Sequence, residues 1–351
     1  MIAPLENITV VAWEQAVAAP FATRQLADLG ARVLKIERPG SGDLARHYDS
    51  SIDGQSAFFV WANRGKDSIT LDVKDPADAA LLDRLIAGAD VFIHNVSPAA
   101  AHRAGRDAAA LHERYPQLIA CEISGYGQDG PRTNDKAYDL AIQAESGAMA
   151  VTGSADSPSK IGFSAADISA GMYAFSSILA ALYRRQSTGE GAAISISMLE
   201  CLSEWMAAPT YAAVAAGSTP TRVGHRHAMI APYGVYTAAD GAEVLVAVQA
   251  QHEWESFTAV VLGQPELTAD PRFATNPDRV TNIDALERVI TAVFGSLTGD
   301  EIRQRLSDAR VAFARVNSPI DAFGHEQRAA RHRQTMTTPT KRRRATSRRS
   351  T

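Results

Sequence analysis

Short apolar runs alternate with longer amphipathic ones through the first half of the chain. ITVVAW (8–13), RVLKIE (32–37), SITLDV (68–73), VFIHNV (91–96) and LIACEIS (118–124) are apolar and rich in β-branched residues. Arg38-Pro39-Gly40 stops the second of them. These runs predict buried strands. Between them lie EQAVAAPFATRQLADLG, closed by Gly30, a segment from Pro76 to Gly88, and one from about Pro98 to Arg114. Their composition predicts helices. Strands alternating with helices of this length imply βαβ units, so the expected fold class is α/β with a Rossmann-like parallel sheet.

The pattern then changes. AYDLAIQAESGAMAV (137–151) reads as a helix. From Ile168, apolar residues at 168, 172, 175, 179 and 182 mark one helical face that runs to Arg185. A strand at AISISML and a helix through Tyr211 follow. PYGVYTAADGAEVLVAVQ (232–249) predicts two strands joined around Asp240-Gly241, and two amphipathic helices lie near 282–297 and 298–309. The expected division is a large domain over 1–219, a smaller α+β domain over 220–316, a return segment to the large domain over 317–334, and a basic tail over 335–351. The tail is polar, low in complexity and expected to be disordered.

Composition narrows the class. The chain has 351 residues, 46% hydrophobic and 21% charged, enough for a substantial core. No apolar run in the sequence approaches the ~18 residues expected of a membrane span. MIAPLENITVVAWEQ has no basic leader and carries Glu6, unlike a signal peptide. Cys121 and Cys201 make neither a disulfide framework nor a metal pair, so a reducing, cytoplasmic setting is expected. From Gln327 onward the chain carries nine Lys or Arg and no acid; removing these nine positive charges from the net −4 leaves −13 for the rest. An acidic body disfavours nucleic acid as a partner.

Candidate chemistry is sparse. The first strand runs into Trp13-Glu14-Gln15-Ala16-Val17, with no glycine where a dinucleotide fingerprint needs three, so a nicotinamide site is not expected there. No P-loop or G-x-S-x-G occurs; Ser124-Gly125-Tyr126-Gly127 lacks the nucleophile position. His225 and His227 have no Cys or carboxylate close in sequence, and no metal site is expected. Arg38, Arg46, Lys74, Arg103 and Lys136 lie at or after strand ends, where open parallel sheets bind ligands. Scattered surface charge would read the same way. Asp167 is a lone carboxylate in SAADISAGMYAF, ahead of a strong helix. Helix capping accounts for it; so does a nucleophilic carboxylate with Gly171 leaving space above it.

The stretches VLKIERPGSGD (33–43), NRGKDSITLD (63–72), KAYDLAIQAESGAMAVTG (136–153) and AADISAGMYA (165–174) resemble the family III CoA-transferases, the group of formyl-CoA transferase and carnitine CoA-transferase, over roughly residues 4–330. The resemblance implies an aspartate nucleophile at Asp167, CoA contacts at Arg38, Leu71, Lys74, Asn95, Arg103 and Lys136, and Tyr138 beside the reacting group. It implies an acyl-CoA thioester as substrate, a small carboxylic acid as partner, no permanently bound cofactor, and an interlocked homodimer. QAESG (143–147) looks most like members acting on C4–C5 dicarboxylic acyl groups, of the mesaconyl, succinyl or citramalyl type. Two rival readings are an α-methylacyl-CoA racemase-like enzyme and a catalytically impaired CoA-binding homologue. The racemase branch pairs its aspartate with a histidine, where this chain has Tyr138, and a phenol with an ordinary pKa near ~10 is a poor base.

Departures from the family pattern carry expectations too. Val96-Ser97-Pro98-Ala99 replaces the usual Arg or His followed by Pro-Gly. Val17 stands where formyl-CoA transferase has a glutamine, and RHAMIAPYG (226–234) replaces its glycine-rich flap, so formate and oxalate are not the expected acids. TPTKRRRATSRRST reads like a truncated or frame-shifted end, since relatives continue some way further.

Overall fold

A computed structural model describes residues 3–331. The tail expected over 335–351, and the last three residues of the expected return segment, lie outside the described residues. The described residues divide into two compact units, one through Gly224 and one from His225.

The first unit is built on a six-stranded parallel sheet. Its strands are β1 (Thr9–Trp13), β2 (Arg32–Glu37), β3 (Lys66–Thr70), β4 (Val91–His94), β5 (Ile119–Ser124) and, after a two-residue hairpin of β6 (Gly153–Ser154) and β7 (Ser157–Pro158), β8 (Ala192–Ser197). The order is β3-β2-β1-β4-β5-β8, which puts β1 between two parallel neighbours. Alternate residues of each strand serve opposite layers, as period-two geometry requires. Val10, Ala12, Ile93 and Cys121 face helices Ala18–Asp28, Ala165–Thr188 and Met198–Trp205. Val11, Leu34, Phe92 and Ala120 face helices Pro76–Ala87 and Ala108–Arg114. Cys121 and Cys201 are both buried in the first layer.

Several boundaries differ from those expected. β3 begins two residues early, and the carboxylates of Asp72, Asp75 and Asp78 bind backbone N–H groups to turn the chain after Thr70. The helix expected over 98–114 is two, Pro98–Arg103 and Ala108–Arg114, because Asp107 caps the second through the Ala110 N–H at 2.9 Å. The helix expected over 137–151 breaks at Gly147, whose φ of +82° ends the helix Asp139–Glu145. Helix Ala57–Asn63, capped by Ser56, lies outside the elements that the sequence pattern predicts.

Although no single apolar run is as long as a membrane span, helix Ala165–Thr188 is long and apolar enough overall to cross a membrane. In the fold its buried face, with Ala166, Ala170, Ala174 and Ile178, packs into the core of the first unit.

In the second unit, β9 (Tyr233–Thr237), β10 (Glu243–Ala247) and β11 (Ala312–Arg315) form an antiparallel sheet in the order β11-β10-β9. The expected hairpin joins β9 to β10 through Asp240-Gly241. Trp254, Phe257, Phe273 and Phe294 fill this unit's core. His227 is an ordinary polar contact: its Nδ1 accepts the Met229 N–H at 3.1 Å and its ring stacks on Tyr233.

Candidate active site

All six strands of the first unit's large sheet run the same way, so the loops after β1 to β5 leave one edge of that sheet together. Arg38 follows β2 and is exposed. Leu71 follows β3, is buried, and its N–H bonds the Glu37 carbonyl at 2.9 Å, one rung beyond the β2–β3 pairing. Lys74 is exposed in the next turn, and Arg103 ends helix Pro98–Arg103, also exposed. Lys136 is exposed two residues before Tyr138. Among the described residues, the side chains of Arg38, Lys74, Arg103 and Lys136 have no hydrogen bond or ion pair. Arg46, Arg106 and Arg132 differ, each being held by a carboxylate. Arg38 and Lys74 follow β2 and β3 directly, Arg103 ends a helix after β4, and Lys136 lies in the longer segment after β5. Exposed cations without a carboxylate partner suit a phosphate-bearing ligand. Asn95 is less free. Its Oδ1 accepts the Gln15 N–H at 2.9 Å and its Nδ2 donates to the Gln15 carbonyl at 2.8 Å, which ties the loop after β4 to the loop after β1.

Asp167 is not the cap of its helix. Ser164 occupies the cap position without a side-chain bond, and Asp167 is the third helical residue. The capping acceptor comes from elsewhere: Asp139 Oδ1 takes the Ala166 N–H at 2.8 Å and the Asp167 N–H at 3.4 Å. The Asp167 carboxylate is half-buried and receives no hydrogen bond among the described residues. Burial, with the charge of Asp139 adding to it, pushes the Asp167 carboxyl up to about 7. The space above it is also not open. A Cβ at Gly171 would meet the Ala18 carbonyl at 2.7 Å and the Phe21 ring at 2.9 Å, so glycine there lets helix Ala18–Asp28 cross closely, one turn beyond Asp167.

Tyr138 is the N-cap residue of helix Asp139–Glu145, immediately precedes Asp139 in the chain, and is 69% exposed. Tyr48 completes the neighbourhood. Burial raises its phenol pKa, and the charges of Asp43 and Asp167 add to the rise. Sequence reasoning missed both Tyr48 and Asp139; the second had a signal in standing beside Tyr138.

The same sheet edge is braced by a buried ionic network that was also missed. Lys66 Nζ lies 2.7 Å from Glu14 Oε1, Lys35 Nζ lies 3.3 Å from the same oxygen, and Lys35 Nζ lies 2.7 Å from Asp43 Oδ2. Thr23 donates to Glu14 at 2.7 Å, and Asp43 Oδ1 accepts the Ala16 N–H at 2.8 Å. Burial alone would raise the Glu14 carboxyl, but the two ammonium groups override it and the net shift is downward. Burial pulls Lys66 down to about 8, and Lys35 adds to that against the pull of Glu14. Arg46 grips Glu37 in a bidentate pair at 2.7 and 2.6 Å. Ser68 donates to the same carboxylate at 2.6 Å, and these bonds bring Glu37 to about 2 against its burial. The signal was Lys35, a charge inside an otherwise apolar strand.

Two grooves, of about 430 and 1420 Å³, are lined by second-unit residues alone and contain none of the candidate site residues.

The sequence profile of CoA-transferase family III matches residues 5–348. The chain belongs to that family. It is 38% identical to the acetyl-CoA:oxalate CoA-transferase of Acetobacter aceti over 289 residues, 82% of this chain and 74% of that one. It is 34% identical to the succinate–glutarate CoA-transferase of Agrobacterium fabrum, over 93% of this chain and 84% of that one. A crystal structure of a CAIB/BAIF family protein from Brucella suis aligns at a TM-score of 0.83 with 34% identity, covering 94% of this chain and 88% of that one. As a family III CoA-transferase, the chain is an enzyme, and the expected family and Rossmann-like fold class are both borne out.

Proposed function

We propose that this CoA-transferase moves CoA between dicarboxylic acids and that Asp167 is its nucleophile. The carrying observation is the state of Asp167: a half-buried carboxylate with no donor among the described residues, beside another carboxylate. An ionised group so poorly stabilised is basic and eager to form a bond. Its oxygen attacks the thioester carbonyl, the C–S bond breaks, and CoA leaves as the thiolate with the electron pair. The product is a mixed anhydride on Asp167. The thiolate then attacks the aspartyl carbonyl, which frees the first acid and leaves an aspartyl-CoA thioester. The acceptor carboxylate attacks that thioester and expels the thiolate. The thiolate takes the acceptor acyl group, and Asp167 is restored. A carboxylate suits both attack and departure, provided that water is kept out.

Arg38, Lys74, Arg103 and Lys136 bind the phosphates of CoA, with Leu71 lining the nucleotide end and Asn95 acting through the loop it fixes. The unpartnered state of the four cations supports this reading. The enzyme works as a homodimer, the partner covering apolar surface such as Val316, Ile320 and Phe323. Dicarboxylates are chosen because relatives named for succinate, glutarate, citramalate and mesaconate match across most of this chain. Oxalate joins them. The features set against it were departures from formyl-CoA transferase, whereas the Acetobacter aceti relative is named for oxalate.

The test is incubation with succinyl-CoA and a panel of glutarate, mesaconate, citramalate, oxalate and acetate. Transfer to at least one dicarboxylate, with an acyl or CoA adduct on the Asp167 peptide by mass spectrometry, is the expected result. Transfer to acetate alone overturns the substrate class, and an adduct elsewhere overturns the nucleophile.

Two further outcomes are expected at this site. Arg38→Ala or Lys74→Ala raises KM for CoA esters several-fold with a smaller effect on kcat, because the nucleotide end is bound alike in ground and transition states. Steady-state kinetics with unchanged KM in both variants would remove these cations from the CoA site. Proton exchange separates transfer from racemisation. The enzyme should transfer CoA in deuterated water while the α-proton of a 2-methylacyl-CoA stays in place by NMR. Rapid deuterium uptake without transfer would assign the chain to the racemase branch.

A further inference from the structure

We propose that Asp139 is a positioning residue for Asp167: one of its carboxylate oxygens holds the first turn of the long helix by the backbone while its charge faces the nucleophile. The inference rests on Asp167 being that nucleophile. The first turn of a helix has N–H groups without intrahelical partners, and a local Ser, Thr, Asn or Asp usually takes them. Here Ser164 does not, and the acceptor is supplied from the separate short helix Asp139–Glu145. Asp139 is itself held. Its Oδ2 accepts from Gln143 Nε2 at 2.7 Å, and Gln143, fully buried, also donates to the Phe163 carbonyl at 3.2 Å and accepts the Ile161 N–H at 2.8 Å through Oε1. The whole approach to Asp167, from Ile161 onward, is therefore latched to the helix that follows Tyr138.

Capping alone does not require a charge, since Asn or Ser serves as well. A second carboxylate beside a poorly solvated one raises the energy of the ionised nucleophile. That charge disappears from Asp167 when its oxygen bonds the acyl carbon, so the repulsion is relieved on the way to the anhydride. Relief that grows toward the transition state speeds the step. The surroundings offer little else to act on Asp167. Helix Ala18–Asp28 meets the long helix at Gly171 with Ala18 and Phe21, both uncharged. Tyr48, half-exposed, feels the charge of Asp167, but its own phenol pKa is pushed up, so it stays neutral and adds no charge to the site. Helix Met198–Trp205 carries Glu200, Cys201 and Glu204, and β5 presents Cys121; the shift of Asp167 comes from burial and Asp139, not from these.

The experiment compares Asp139→Asn and Asp139→Ser, both neutral caps, with Asp139→Ala and wild type in the full-length enzyme. In wild type, kcat/KM for succinyl-CoA should rise with pH through a midpoint near 7, as Asp167 ionises. In both neutral-cap variants the midpoint should move down by roughly one pH unit, and the plateau rate should fall roughly tenfold, at little change in Tm. Profiles of the neutral-cap variants that superimpose on wild type, with only Asp139→Ala losing stability, reduce Asp139 to a structural cap and overturn the proposal. A ¹³C NMR titration of the Asp167 carboxyl, assigned by its loss in Asp167→Asn, reads the same shift without any turnover. The effect of Asp139 thus remains measurable even where Asp167 proves not to be the nucleophile, and an unmoved titration in Asp139→Asn refutes it directly.

Discussion

Asp167→Asn is expected to lower CoA transfer by at least about a thousandfold and, at the same pH, to make the protein harder to unfold. The first half follows from the proposed chemistry, because an amide cannot form the anhydride. The second follows from linkage. The folded carboxyl titrates near 7, above the unfolded value near ~3.9, so the folded state binds the proton more tightly. Stability therefore falls as pH rises between about 4 and 7, and the full deficit is present above 7. Asn has the same shape and no charge, so it removes the deficit. With residual solvent at the site, the gain is about 1–3 kcal/mol at pH 8 and vanishes near pH 4. Urea unfolding of both proteins at the two pH values measures it. A variant less stable than wild type at pH 8 would restore the capping role that the sequence suggested and the geometry denies. Full activity in the variant would end the nucleophile assignment.

Glu14→Ala is expected to cost about 3–5 kcal/mol, because it removes the anion between two buried cations. Lys35 keeps Asp43 at 2.7 Å. For hydrogen bonds Lys66 keeps the neutral acceptors Asn63 Oδ1 at 3.0 Å and the Pro20 carbonyl at 2.9 Å, with the charge of Asp43 as its remaining attraction. The sign of the pH effect follows. Lys66 in the fold titrates near 8, below the ~10.5 of an unfolded lysine, so the folded state binds fewer protons and gains stability from this group as pH rises. Without Glu14 the lysine releases its proton earlier still. The gap between variant and wild type should narrow as pH is raised from 7 to 10. Chemical denaturation across that range is the measurement, and equal midpoints at pH 7 would show that the network contributes no stability.

The fold was legible where period and punctuation agreed. Strands such as RVLKIE and LIACEIS announced themselves by apolar β-branched runs, and the parallel sheet followed from what lay between them. Helix 98–114 and helix 137–151 were overextended, because composition stays helical across a break that a cap at Asp107 or a left-handed Gly147 makes. β11 and helix Ala57–Asn63 were missed. β11 is exposed along its whole length, so it lacks the buried alternation that marks a strand. At the site, Asp167 stood out as a lone carboxylate, but its cap stands 28 residues upstream. No local pattern encodes an acceptor that arrives through tertiary structure. The ion network is hidden for the same reason: Lys35 stands out inside β2, but its partners Glu14, Asp43 and Lys66 come from separate segments that no local pattern connects to it.

The two cysteines of the first layer have a consequence for how this protein ages. Alkylation and oxidation both require a thiolate that solvent can reach. Burial holds the Cys121 thiol far above its ordinary range and pushes Cys201 up to about 12, so in the folded chain both sulfurs stay protonated and shielded. They become vulnerable only when the helices lying over β5 lift away. Those helices include the one whose first turn desolvates Asp167. Damage to the sulfurs is thus confined to moments when the layer that carries Asp167 is already open, and the extent of thiol modification in a stored sample keeps a running record of how often that layer has come apart.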